Sequence, residues 1–143
     1  VATTDIPAEL RDQATRGFDA TIGLSVVEAS GDEVRSQLTV RPELLQPHGI
    51  LHGGVLCSVV ESVASVGGTL WLRDAGVVVG VNNNTDFLRA TKEGAVLTAV
   101  GTPIHRGRSQ QLWAVHITDG EGHLVAKGQV RLQNLRHAER VAK

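Results

Sequence analysis

Cysteine is nearly absent. Cys57 is the single one in 143 residues, which excludes an intrachain disulfide and any metal site built on several cysteines. Aromatic residues make up 3% of the chain, and Phe18, Trp71, Phe87 and Trp113 are too few to form a stacking surface for single-stranded nucleic acid. Neither sign of charge dominates: 14 basic residues face 15 acidic ones for a net charge of -1. No general field therefore favours nucleic acid or an anionic membrane, and an anionic ligand must be met by a local basic cluster. The stretch Val1 to Leu10 has no apolar run of the signal-peptide type and carries Asp5 and Glu9. Together with the lone cysteine, this sets the expectation of a cytoplasmic protein. Histidines are present, but His105, His116 and His123 have no ligand spacing and His137 lies in the tail, so no metal and no cofactor are expected.

What remains is the composition of a globular protein, 41% hydrophobic and 20% charged, with the length of one domain over residues 1–143. Asp5 and Pro7 ahead of Ala8 predict a short helix over 7–16. Ile22, Leu24 and Val26 alternate like a strand, Gly31-Asp32 turns the chain, and Val34, Ser36, Leu38 and Val40 alternate again. After a Pro/Gly-rich loop, a helix is predicted over 53–72, with Gly76 as its stop. Four strands follow, over 77–89, 95–105, 109–119 and 123–135, and residues after Arg136 read as a tail. One long helix among six strands with short connections predicts an α+β fold, an antiparallel sheet wrapped around that helix.

The long helix carries the chemistry. Between Gly53 and Leu72 the only charged residue is Glu61, set among valines, leucines and alanines. A helix apolar on most of its circumference is a buried helix. Glu61, four glycines and several Ser/Thr residues argue against a membrane span. An unpaired carboxylate removed from water costs several kcal/mol by order of magnitude, so Glu61 either lines a cleft or lies on a wet stripe with Ser58, Ser62, Ser65 and Thr69. At the helix start, His52-Gly53-Gly54 offers free backbone N–H groups at a positive helix end. Glu61 lies roughly 12 Å further along the axis, so one helix cannot bring both groups to one atom. A second subunit can.

The stretch from Gln46 to Glu61, QPHGILHGGVLCSVVE, resembles that of the hotdog-fold acyl-CoA thioesterases, in particular the phenylacetate-type and 4-hydroxybenzoyl-CoA thioesterase group. Asn84 to Arg89 and His105 to Ser109 are similar as well, and the resemblance runs from about Gly17 to Leu135. It implies a hotdog fold and hydrolysis of an acyl-CoA thioester. Much of that group has Asp at the acid position, whereas Glu61 is similar to the 4-hydroxybenzoyl-CoA branch. By the same resemblance Glu61 is the nucleophile or general base, and the Gly53 N–H polarises the thioester carbonyl. Gln46 orients the reacting group, Ser65 stands where the branch has a threonine hydroxyl, and His52 orders the loop. Coenzyme A phosphates need basic partners, and Arg89, Arg106, Gly107, Arg108 and Ser109 are the candidates. A homo-oligomer is implied, with the dimer as minimal active unit and a dimer of dimers, a homotetramer, as the assembly. Two other functions stay open on the residues alone: a hotdog enoyl-CoA hydratase or dehydratase, in which His52 becomes essential, and a non-catalytic acyl-CoA-binding module.

Overall fold

The computed structural model describes residues 6–13 and 16–137. Two short helices, α1 (Ala8–Gln13) and α2 (Gly17–Ile22), precede β1 (Ser25–Ala29) and β2 (Val34–Thr39). A 3₁₀ turn at Pro42–Leu44 leads through a loop to α3 (Gly53–Leu72). A second 3₁₀ turn, Arg73–Ala75, opens into β3 (Gly76–Phe87), followed by β4 (Val96–Arg106), β5 (Gln110–Thr118) and β6 (Leu124–Arg136). All pairings are antiparallel, in the order β1-β2-β4-β5-β6-β3. The expected α+β layout is therefore the observed one.

The sheet wraps α3 because its strands alternate. In β5, Gln111, Trp113, Val115 and Ile117 are buried, and in β6, Gly128, Val130, Leu132 and Asn134 are. Of these, Trp113, Val115, Ile117, Val130 and Leu132 share one apolar core with Val59, Val60, Val63 and Ala64 of α3. Helix and sheet approach closely at two helical glycines. A Cβ at Gly67 would stand 2.5 Å from the Trp113 ring, and one at Gly68 would stand 2.4 Å from Leu132. Each interior glycine costs about 1 kcal/mol of helix propensity relative to alanine. Here that cost is what lets Trp113, fully buried, pack directly against the helix at Gly67. By length and hydropathy α3 with its 3₁₀ extension would suffice to cross a membrane, but half of that stretch is buried inside the protein and its apolarity belongs to the core.

Three local expectations change. Ile22 belongs to the end of α2, not to a strand. Gly23, at φ 78°, closes that helix with its N–H on the Ala20 carbonyl, and the Leu24 N–H reaches the Asp19 carbonyl. Ile22 and Leu24 are both buried, from a helix end and a linker, which mimics strand alternation. The long helix stops at Leu72, with Arg73 at φ 54°, and Gly76 instead opens β3, where its bare Cα packs on the Leu135 carbonyl. The N-terminal helix, expected over 7–16, is seen over Ala8–Gln13; Pro7 lies before it, Arg16 is the extended N-cap of α2, and residues 14–15 and the tail beyond His137 lie outside the described residues.

Candidate active site

The loop Arg41 to His52 is folded back on itself and delivers the start of α3. Gln46 donates its backbone N–H to Ile50, Leu51 donates to Thr91, and His52 donates to Leu44. The Gln46 side-chain oxygen accepts the His48 N–H, which leaves its NH₂ end as the donor end of that side chain. His52 is the N-cap of α3: its Nδ1 accepts the Gly54 N–H at 2.8 Å and its carbonyl accepts the Val55 N–H. Among the described residues the Gly53 N–H has no partner, so this one donor of the first turn stays free at the positive helix end.

Gly53 lines a cavity of about 310 Å³ together with Gln46, Ile50, Phe87, Leu88 and Arg89, among others. The Phe87 ring lies directly over Gly53, since a Cβ there would come within 2.8 Å of it. Glycine at 53 is thus needed for close approach. Phe87 was not singled out from the sequence as a site residue. Its signal is that one of only four aromatics stands beside Arg89 and is 55% exposed.

Glu61 is elsewhere. Its side chain is exposed on the face of α3 that runs along β3, with Oε1 close enough to Gly80 that a Cβ there would approach it to 2.7 Å. The β3–β6 register slips between Gly80 and Asn82, a bulge that sits beside the carboxylate. Asn83 fixes helix to strand by donating to the Cys57 carbonyl at 2.9 Å. Ser65, one turn beyond Glu61, is half-buried. The serines taken for one polar stripe have separate duties: Ser58 donates to the Gly54 carbonyl, and Ser62 to Asp19 of α2 at 2.6 Å. Glu61 is not a buried carboxylate in the single chain. It rests against Gly80 of β3, the edge strand of the sheet.

The basic candidates divide as well. Arg89 follows β3 and its N–H reaches the Val125 carbonyl, whereas Arg108 is anchored near Asn134 at the far end of β6. Nine residues of strand separate those anchors, roughly 30 Å. Arg106 is engaged by the β1–β2 turn: its Nη1 donates to the Gly31 carbonyl at 2.7 Å and to Asp32 at 2.8 Å, and the guanidinium lies over Trp71. That leaves Arg108 and Ser109 as the exposed groups of the loop, with Gly107 half-buried behind them. The chain thus unites Gln46, Gly53 and Arg89 in one cavity and keeps Glu61, Ser65 and the 107–109 loop apart from it.

His52→Ala is a test of the capping geometry. Loss of an N-cap costs about 0.5–2 kcal/mol, so the variant should melt a few degrees lower and lose activity only modestly. A loss of turnover as large as that of a Glu61 variant would instead make His52 a proton-transfer group.

An antiparallel six-stranded sheet wrapped around one long helix, with a free N–H at the helix start and an acid two turns in, defines a hotdog-fold protein. The thioesterase superfamily model matches residues 48–126. This chain belongs to that superfamily, and its class is thioester hydrolase. It is 52% identical over 134 residues to a Mycobacterium tuberculosis protein named "putative esterase", covering 92% of this chain and 94% of that one. The solved structure of that protein superposes with a TM-score of 0.81 over 83% of this chain and 96% of the other. A 1,4-dihydroxy-2-naphthoyl-CoA hydrolase of Listeria monocytogenes is 36% identical over 103 residues, 72% of this chain and 83% of its own. A thioesterase structure from Haemophilus influenzae matches with a TM-score of 0.85 at 29% identity, over 92% of both chains.

Proposed function

We propose that the protein hydrolyses an acyl-CoA thioester to the free acid and coenzyme A in a site shared between two subunits. The observation that carries this reading is the pair of half-sites: Gly53, with its N–H free, lining a cavity, and an exposed Glu61 carboxylate resting against Gly80 of the edge strand. The edge itself supports the pairing. β3 is twelve residues long, unpaired on one side, and exposes Val79 and Val81, which makes it a template for a second copy of itself. Two β3 strands joined antiparallel about their middle set the Gly76 end of one against the Phe87 end of the other. The Gly53 cavity and Arg89 of one chain then lie beside Glu61 and the 107–109 loop of the second.

In that assembly the thioester carbonyl accepts the Gly53 N–H, which stabilises the developing oxyanion. Water adds to the carbonyl carbon, its proton goes to Glu61, the C–S bond breaks, and the coenzyme A sulfur leaves and takes up a proton. In the nucleophilic route Glu61 attacks first and water then opens the mixed anhydride. The Gln46 NH₂ and the Ser65 hydroxyl orient the water or the carboxylate in either route. Arg89 and Arg108 hold phosphates from opposite subunits, with Ser109 and the Gly107 backbone beside them and Arg106 bracing the loop from below. The relative that acts on 1,4-dihydroxy-2-naphthoyl-CoA and the aromatic Phe87 over Gly53 both favour an aryl acyl group.

A panel of aryl-, fatty acyl- and enoyl-CoAs scored for free thiol and for enoyl absorbance is the direct test. Thiol release, fastest with an aryl group, is the expected result. Loss of an enoyl absorbance without thiol would indicate hydration instead, and binding without either reaction would indicate a binding module.

A further inference from the structure

Beneath the 107–109 loop lies a buried polar network that no step of the reaction uses. Gln111 and Asn134 are fully or almost fully buried, at 0% and 1% exposure. Asn134 donates from its side-chain nitrogen to the Gly107 carbonyl at 3.0 Å and to the Arg108 carbonyl at 3.1 Å, and its backbone N–H donates to the Ser109 carbonyl at 2.8 Å. Three consecutive loop carbonyls are therefore held by one residue of β6. Arg136 adds a fourth bond, to the Arg108 carbonyl at 3.0 Å.

The network continues inward. The Asn134 side-chain oxygen accepts from Gln111 Nε2 at 2.9 Å, and the same nitrogen donates to the Gly68 carbonyl of α3 at 3.2 Å. Gln111 Oε1 accepts the Trp113 indole N–H at 2.8 Å. Every polar end is satisfied, the condition under which buried networks rigidify their surroundings. The fold does not need it for pairing, because Gln110 and Gln111 already pair with Gln133 and Leu132 in the β5–β6 ladder. Replacing both partners of a buried hydrogen bond by apolar groups of the same shape is often nearly neutral. What an apolar pair would lose is the side-chain hold on the Gly107 and Arg108 carbonyls and their tie to α3. Gly68 is seven residues beyond Glu61, roughly 10 Å along the same helix.

We propose that Asn134, through Gln111, is a positioning residue that fixes the coenzyme-A-binding loop at a set distance from the helix bearing Glu61. This rests on the reading that Arg108 and its neighbours bind the phosphates. Substrate discrimination follows: disturbing the network moves the handle site and leaves the reacting carbonyl where it was.

The test compares an acyl-CoA with the same acyl group on N-acetylcysteamine, which has no nucleotide. Asn134→Ala should raise KM for the acyl-CoA by about tenfold, while kcat/KM for the short thioester stays within about twofold. Arg108→Ala should show the same selectivity. Equal losses on both thioesters, or no change on either, in the Asn134 variant would overturn the positioning role. If Arg108→Ala selects against acyl-CoA and Asn134→Ala does not, the inference alone fails. If Arg108→Ala is silent, the phosphate-binding reading fails and takes this inference with it. Asn134→Asp is the second variant, since it keeps the shape and the acceptor facing Gln111 and deletes the two donors to the loop. Should neither variant fold, the network serves the fold alone and the proposal is wrong.

Discussion

Glu61→Gln is expected to lower kcat by about 10²–10⁴-fold, the range for removal of a general base, with little change in the melting temperature. The position predicts both halves of that result. Glu61 is exposed, accepts no hydrogen bond among the described residues, and lies against Gly80 of β3, so a neutral isostere is accommodated at a cost within about 0.5 kcal/mol. The amide keeps the shape and loses the group that takes a proton or attacks the carbonyl. Because that interaction acts in the transition state, the fall should appear equally in kcat and kcat/KM, with KM nearly unchanged. Steady-state kinetics beside a thermal melt read all three quantities. A glutamine variant that keeps more than about half of the wild-type rate would remove Glu61 from the mechanism.

The contrast between Glu61 and its helix shows which parts of the molecule can be read from sequence. The apolar run around Glu61 correctly marks α3 as the core helix, and its bounds, Gly53–Leu72, follow from the flanking signals His52-Gly53 and the end of the apolar run. The same run leaves the carboxylate open between a cleft and a wet stripe, because burial of a helix face depends on whether a strand covers it. Glu61 projects beside β3, and nothing in the local pattern reveals that β3 is the last strand of the sheet. The strands β4 to β6 are legible because each alternates for nine residues or more. α2, six residues long, is too short to establish a helical period.

Long-range partners are the other illegible class. Arg106 reads as one of a basic trio until its contact with Asp32, 74 positions away, is seen. Gln111 and Asn134 look like ordinary polar residues of alternating strands, and only the register that sets Gln111 opposite Leu132 brings the two side chains together under the loop. Gln46, Gly53 and Arg89, by contrast, were candidates on motif alone and do line one cavity. Those three lie where the chain turns sharply, in the loop before α3 and just after β3. In such segments residue type and backbone need are closely tied, at Gly53 by the ring of Phe87.

The distance along α3 makes assembly the most demanding consequence. Gly53 and Glu61 are eight residues apart on a straight helix, roughly 12 Å, and no rotamer of a glutamate closes that gap onto one carbonyl. A chain carrying Gly53→Pro lacks the donor but keeps its carboxylate, and proline at the first helical position suits the helix. Its added ring must push aside Phe87, an exposed side chain with room to move. A chain carrying Glu61→Ala keeps its donor and lacks the acid. Each variant alone should be folded, dimeric and close to inactive. Mixed in equal amounts and allowed to exchange subunits, they should recover about a quarter of the wild-type rate, since half the dimers are mixed and one of two sites in each is whole. Native mass spectrometry fixes the fraction of mixed dimers, and recovered activity should rise in proportion to it. Mixed dimers without activity would show that each site is built within a single chain, and the β3-paired arrangement would have to be abandoned.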